Sequence, residues 1–367
     1  MSASEALPRM RLGGFRDVPT AHVLGDRRPR PPFVSIVVPT YRRPKLLGDS
    51  ILSALGQDSD LPLEVVVVDN EQDPAIAAQV DAVVRSIDDP RVHLYRNAEN
   101  FGMFGNWNRG LELARGEWVT ILNDDDLLLP NWLSVMSPYL GQDRMIASIR
   151  EIFYERPSAP ERRNPLGRLL DELEAALLIP GRYRAAERDL DAAEMMASNP
   201  VAGLLGAIVR RDLAIACGGF EEGAGPIADY RFNFRFWAAH GIRQIGVPLA
   251  RYRFADNATM NPAVAKRIVQ DSYHLRSSTI DRLEVSGRRR KHLRLLSRQQ
   301  AILLAHDYRL LIGDMFDEKA VLSEIGISEA AMLPHRLLVR YLRIGWKRAS
   351  NWLHIAPECL PPVERDS

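Results

Sequence analysis

The chain has 367 residues, more than one compact core commonly encloses, so a catalytic-size domain with an appendage is expected. Hydrophobic residues make up 46% and charged residues 26%, and 48 Lys+Arg against 47 Asp+Glu leave a net charge of +1, so no global field draws nucleic acid. Two cysteines, Cys217 and Cys359, exclude a disulfide scaffold; residues 1–17 lack the apolar stretch of a signal peptide; and the longest apolar or small run, residues 201–209, is far too short to span a bilayer.

What remains is a cytoplasmic enzyme or binding protein. Residues 1–32 carry Gly, Pro and Arg without hydrophobic period, and read as a flexible leader. From Phe33 short β-branched runs recur at residues 34–38, 64–68, 92–95 and 118–122. Between them Leu47, Ile51 and Leu55 share a helical face after Pro44, and Ile76, Val80, Val83 and Val84 share one after Pro74; Trp107, Leu111 and Ala114 mark a third. Strand–helix alternation with near-continuous apolar strands predicts an α/β domain, its parallel sheet covered on both faces. From about residue 150 to 200 the strands are expected to stop, with a helix at 169–178. Strands and helices return at 201–254, and beyond Asn261 helix formers predict a helical C-terminal appendage.

Ligands of open parallel sheets bind outside the carboxyl ends of the strands. Those ends read Pro39-Thr40-Tyr41-Arg42, Asp69-Asn70, Asn97 and Asn123-Asp124-Asp125-Asp126. Turns favour Asp and Asn anyway, which accounts for one or two of the four. Three adjacent aspartates repel unless a cation sits among them, so a divalent site for Mg²⁺ or Mn²⁺ is expected there. The chain has no phosphate-binding loop of the G-x-x-x-x-G-K-S/T type and no G-x-G-x-x-G after the first strand, so a metal bridging a diphosphate is the more natural way to hold a nucleotide.

Taken in order, Val34–Tyr41, Val67-Val68-Asp69-Asn70, Arg96-Asn97 with Asn100-Phe101-Gly102, Asn108-Arg109-Gly110 with Ala114-Arg115-Gly116, and Leu122–Asp126 resemble family 2 glycosyltransferases. The segment from Val209-Arg210-Arg211 through Gly218-Gly219-Phe220 to Asp229 is similar to that family's acceptor-side half. The resemblance implies a GT-A fold over residues 33–255, with 151–200 an acceptor-side helical insertion and 256–367 a helical C-terminal region. It also implies a metal-dependent inverting transferase with a UDP- or dTDP-sugar donor.

On that resemblance Pro39, Thr40, Tyr41 and Arg42 line the nucleoside pocket, and Asp69 accepts a hydrogen bond from the base. Asn97, Asn108 and Arg115 support the loop under the donor. Asn123 and Asp124 contact the nucleotide, and Asp125 with Asp126 holds Mg²⁺ or Mn²⁺. Asp229 is the catalytic base. Ala228 stands where relatives carry glutamate, and Arg253 or Asp256 has to replace a histidine that relatives place near Phe254. The rival readings are a sugar nucleotidyltransferase, which lacks its glycine-rich loop here, and a catalytically silent GT-A module. The acceptor is open: a glycan, a lipid-linked sugar or a small natural product.

Three features carry alternatives. Trp107, Trp118, Trp132 and Trp237 read as core before sugar platforms. Arg336, Arg340, Arg343 and Lys347 mark a basic amphipathic stretch at 335–354, which either packs on the catalytic domain, the preferred reading, or makes peripheral contact with an anionic membrane. Arg288-Arg289-Arg290-Lys291 reads as a solvated turn, or as a cation cluster facing phosphates.

Overall fold

A computed structural model describes residues 18–25, 32–154, 187–201, 203–221, 223–254 and 260–328. Strands β2 (Val34–Thr40) and β3 (Leu63–Asp69) are buried at every position, as strands covered on both faces must be. With β4 (Val92–Asn97) and β5 (Trp118–Ile121) they form the parallel heart of the sheet, in spatial order β4-β3-β2-β5. The chain therefore steps outward from β2 to β4, then jumps back across β2 to β5. That reversal opens a crevice at the carboxyl ends of β2 and β5.

Helices α1 (Pro44–Leu55), α2 (Pro74–Ile87) and α3 (Met103–Leu113) make the crossovers. Proline opens the first two, and the Asp73 carboxylate caps α2 by accepting from the Ala75 N–H at 2.8 Å. Val34, Ile36 and Val38 of β2 pack with Leu47, Ile51, Val80 and Val84 on one face of the sheet. Val37 packs with Trp107 and Leu111 on the other, where Gly110 is required because any Cβ would collide with Val37.

The second half of the sheet is mixed. After β6 (Leu127–Leu128) and α4 (Trp132–Met136), β7 (Met145–Tyr154) pairs in parallel with β10 (Ile242–Phe254), and β9 (Ala207–Arg210) runs antiparallel to both β5 and β7. β8 (Arg188–Asp189) and β6 flank β10 antiparallel. Helices α5 (Ala192–Ala197), α6 (Arg211–Ala216) and α7 (Ala228–His240) complete this part. Helices α8 (Pro262–Arg282), α9 (Gly287–Ile312) and α10 (Glu318–Glu324) follow. They hold a core of their own around Val269, Ile302 and Leu322, while Ile280 and Leu293 join the core beneath α7.

Two sequence expectations need correction. The leader is not featureless throughout, because β1 (Thr20–Leu24) adds antiparallel to the edge of β4. Nor do strands stop at residue 150: β7 continues to Tyr154, and β8 lies at 188–189. The expected helix at 169–178 and the basic stretch at 335–354 lie outside the described residues. The helical reading beyond Asn261 holds as far as α10. Trp107, Trp118 and Trp132 are core, and Trp237 donates its indole N–H to Leu190 O at 2.8 Å. Arg290 is not free in a turn: it donates to the carbonyls of Ile280, Asp281 and Leu283, closing the end of α8, while Arg289 pairs with Asp191 at 3.5 Å. No helix among the described residues is long and apolar enough to cross a membrane.

Candidate active site

At the crevice between β2 and β5 the structure brings Thr40, Asp124 and Asp125 together with Arg43. The Thr40 hydroxyl donates to Asp124 Oδ2 at 2.7 Å, so the end of β2 is tied to the acidic turn after β5. Arg42 has φ 60, a left-handed conformation that costs a non-glycine residue free energy and places backbone strain at the mouth of the crevice. Its exposed side chain lies 3.8 Å from Glu71 Oε2 and 5.2 Å from the centre of the Tyr41 ring. Pro39 is enclosed within β2.

Arg43 donates to Asp125 Oδ2 and stands 3.7 Å from Asp124 Oδ1. Two carboxylates thus face one cationic group. Burial pushes Asp124 up to about 6 and also raises Asp125; the Asp125 charge adds to the first, and Arg43 opposes both. This hard, two-carboxylate set suits Mg²⁺ or Mn²⁺, which commonly take one or two protein carboxylates and complete their shell with phosphate and water. Among the described residues no group of three or more His, Cys, Asp or Glu side chains gathers around one point, so the set stops at two.

Asp126 does not belong to it. It is fully enclosed, its Oδ1 accepts the Arg253 backbone N–H at 2.9 Å, and its Oδ2 accepts Asn123 Nδ2 at 2.9 Å. Burial pushes it up to about 7, with Asp125 adding to the effect. Asp126 fixes the turn, and its expected role as a metal ligand is withdrawn. Arg253 does likewise: its Nε donates to Asp125 O at 2.8 Å, and its guanidinium lies 4.7 Å from the Phe153 ring. Asp256 is outside the described residues.

Asp69 needs a similar correction. It is completely buried, Oδ1 accepting from the Glu71 N–H and Oδ2 from Arg96 Nε, both at 2.9 Å. Its pKa is raised by burial, against those two donors. Asp69 anchors the turn that presents Glu71 and Arg42, and no surface of it is open to a base. Asn97 is enclosed in an amide network with Asn70 and Asn106, each 2.8 Å away. Asn108 grips the backbone of Phe220 through both N–H and C=O, at 2.8 and 2.7 Å, so it fixes the Gly218-Gly219-Phe220 segment.

Arg115 lies at the wrong end of the sheet. Its Nε donates to Glu64 Oε2 at 2.8 Å, and Glu64 is the second residue of β3, beside Ser35 at 2.6 Å and His93. Asp69 ends that same strand, about 17 Å away at some 3.3 Å per residue. Arg115 is a structural partner of a buried glutamate.

Asp229 stands in the first turn of α7, where the helix dipole favours a carboxylate. Its Oδ2 accepts the backbone N–H of Gly203 at 3.0 Å; Gly203 has φ +62, which suits glycine. Burial raises the Asp229 pKa, against the Gly203 N–H and the Arg150 charge. Arg150, on β7, lies 5.6 Å from the Tyr252 ring and is lowered by burial, while the charges of Asp126 and Asp229 pull it up. It therefore sits within electrostatic reach of both the acidic turn and Asp229. Ala228 is fully buried, so core packing fills the position of the missing glutamate.

Sequence reading passed over Arg43, Glu71, Arg150 and Gly203. Arg43 and Glu71 each lie one residue beyond a strand-end motif already identified, and adjacency to that motif was the available signal. Arg150 and Gly203 reach the site only through long-range packing.

The family model described as glycosyl transferase family 2 matches residues 35–216, about half of the chain. The chain is 38% identical over 107 residues to the GalNAc(5)-diNAcBac-PP-undecaprenol beta-1,3-glucosyltransferase of Campylobacter jejuni, covering 29% of this chain and 33% of that protein. It is 38% identical over 105 residues to the succinoglycan biosynthesis protein ExoO of Rhizobium meliloti, covering 29% of each. The chain thus spans about a third of the length of the curated relatives it matches. Among solved structures, TarS 1-349 of S. aureus in complex with UDP-GlcNAc aligns with TM-score 0.52 at 14% identity, over 85% of this chain and 92% of that one. Mannosyltransferase PcManGT from Pyrobaculum calidifontis, in complex with GDP-Man and Mn²⁺, aligns with TM-score 0.50 at 18% identity, over 88% and 84%. At these identities the structural likeness is one of fold.

Proposed function

The chain belongs to glycosyl transferase family 2 and has that family's GT-A fold, and from this premise we propose that it transfers a sugar from a UDP- or dTDP-sugar to an acceptor hydroxyl, with inversion and with Mg²⁺ or Mn²⁺. The observation that carries the reading is the meeting of Thr40, Arg43, Asp124 and Asp125 at the switch point between β2 and β5, with Arg150 within electrostatic reach of both Asp126 and Asp229. The ligands of the structural neighbours support a sugar-nucleotide donor: UDP-GlcNAc is bound in one, and GDP-Man with Mn²⁺ in another.

Tyr41, Arg42 and Glu71 form the rim that meets the nucleoside, held in place by Asp69 from below. Asp125, with Asp124, would hold the divalent cation, which when bound would supply Lewis-acid stabilisation to the departing diphosphate. Arg43, which faces both carboxylates, would be placed to meet phosphate oxygens were a cation to hold those acids. Asn123, anchored on Asp126, keeps the acidic turn in register.

Asp229 takes the proton of the acceptor hydroxyl as that oxygen bonds to the anomeric carbon and the bond to the diphosphate breaks. A carboxylate raised by burial is a stronger base than one in water, while the Gly203 N–H and the Arg150 charge favour its ionised form. Acceptor choice falls to the region around residues 151–200 and to the C-terminal helices. A lipid-linked or polysaccharide acceptor is favoured by the curated relatives, one named for an undecaprenol-linked glycan and the other for succinoglycan biosynthesis. The basic stretch at 335–354 suits work at the cytoplasmic face of an anionic membrane.

Asp229→Asn tests the mechanism. Donor binding by calorimetry is expected to stay near wild type while transfer is lost; transfer persisting at the wild-type rate would place the base elsewhere.

A further inference from the structure

The C-terminal helices hold a guanidinium where a charge is costly. Arg276 of α8 is 1% exposed, among the largest fully buried side chains described. No carboxylate among the described residues pairs with it. Its Nε lies 3.4 Å from Ser297 Oγ and its Nη1 3.4 Å from the Tyr230 phenol oxygen, while Nη2 is buried without a hydrogen-bond partner. A methionine or leucine would fill such a place more cheaply, because a desolvated charge without a counter-charge opposes folding. What the guanidinium offers is direction, through the residue it touches.

Tyr230 is the residue after Asp229. Its hydroxyl, oriented by Arg276, reaches Met195 O at 2.8 Å and Ser198 O at 3.0 Å, gripping the end of α5 and the turn behind it. One helical turn on, Asn233 donates to Val201 O. The same stretch of chain then presents the Gly203 N–H to Asp229 Oδ2. Arg276, Tyr230, the backbone from Met195 to Gly203 and Asp229 thus close a ring of contacts.

We propose that Arg276 is a positioning residue: through Tyr230 and the backbone around Ser198–Gly203, the C-terminal helical region sets the place and hydrogen bonding of the Asp229 carboxylate. The inference rests on the reading of Asp229 as the base. It makes the helical region part of the catalytic apparatus.

The test compares wild type with Arg276→Met, Arg276→Lys and Tyr230→Phe in the full chain. Amide hydrogen exchange is followed in peptides covering residues 195–203 and 228–232. Turnover is measured as nucleoside diphosphate released in Mn²⁺ from whichever of UDP-glucose, UDP-N-acetylglucosamine and dTDP-glucose wild type uses. Arg276→Met is expected to speed exchange in those peptides about tenfold, and to lower kcat roughly ten- to a hundredfold with KM within about twofold, the size that small misplacements of reacting groups produce. Arg276→Lys should recover part of the loss. If Arg276→Met does not fold, Tyr230→Phe, which keeps the ring and removes the oxygen, should show the same pattern. Unchanged exchange would overturn the proposal, and so would faster exchange at wild-type kcat. Asp229→Asn is run alongside: wild-type turnover there would sink the base reading, while the exchange result still decides whether the ring of contacts exists.

Discussion

The acidic turn should behave as a stability liability that only a cation relieves, and Asp124→Asn measures it. Asp124 is 5% exposed and its pKa is raised from 3.8 to about 6, first by burial. A carboxyl raised in the folded state holds its proton better folded than unfolded. Its contribution to stability is therefore present below the unfolded pKa and is lost as pH climbs through the folded value. Two pKa units correspond to about 3 kcal/mol lost between roughly pH 4 and 6. Asparagine, like the protonated acid, keeps a neutral acceptor oxygen for Thr40 and the Tyr41 N–H, so it stands in for the protonated folded state. The variant should thus be about 3 kcal/mol more stable than wild type at pH 8 in chelator, a Tm higher by roughly 4 °C at about 2.1 cal/mol/K of unfolding entropy per residue. At pH 5, midway through that window, only about half of the gain should remain. Thermal denaturation in EDTA at both pH values reads this directly. A variant less stable than wild type at pH 8, or equally shifted at both pH values, would refute the electrostatic account of the turn.

Two further substitutions separate the site from its scaffold. Asp125→Ala should abolish the Mn²⁺-dependent part of nucleotide binding with the fold intact; calorimetry giving unchanged affinity in Mn²⁺ would sink the metal assignment. Arg115→Met strands Glu64, which is 2% exposed, and should cost about 3 kcal/mol in urea denaturation while nucleotide-induced thermal shifts stay as in wild type. Weakened nucleotide affinity there would return Arg115 to the donor site.

The strand ends were legible because topology makes them so. Four apolar runs separated by helical faces define a parallel sheet, and whatever follows each run is delivered to one edge. The same rule contains the correction for Arg115, which follows α3 and precedes β5 and so must lie at the amino ends. Motif resemblance placed it at the donor, where connectivity does not allow it. Residue type also misled at Asp69 and Asp126. An aspartate after a strand can face a ligand or turn inward to hold backbone N–H groups, and which it does depends on Arg96, Arg253 and Asn123, two of them distant in sequence. β1 was missed because five residues at a sheet edge carry too little period to stand out from a proline- and arginine-rich surround. Arg150 and Arg276 belong to no local motif, since their partners Tyr252, Asp229 and Tyr230 meet them only after the second half of the sheet and the C-terminal helices have packed.

The most direct test of the central claim is a thermal-shift panel of UDP, dTDP, GDP and CDP, each in Mn²⁺ and in chelator. At 100 times its dissociation constant a ligand stabilises the folded state by about 2.7 kcal/mol, a shift easily seen. Metal-dependent stabilisation by UDP or dTDP, lost in chelator, is the predicted result. No stabilisation by any nucleotide would contradict a sugar-nucleotide transferase and leave the crevice between β2 and β5 without its proposed ligand.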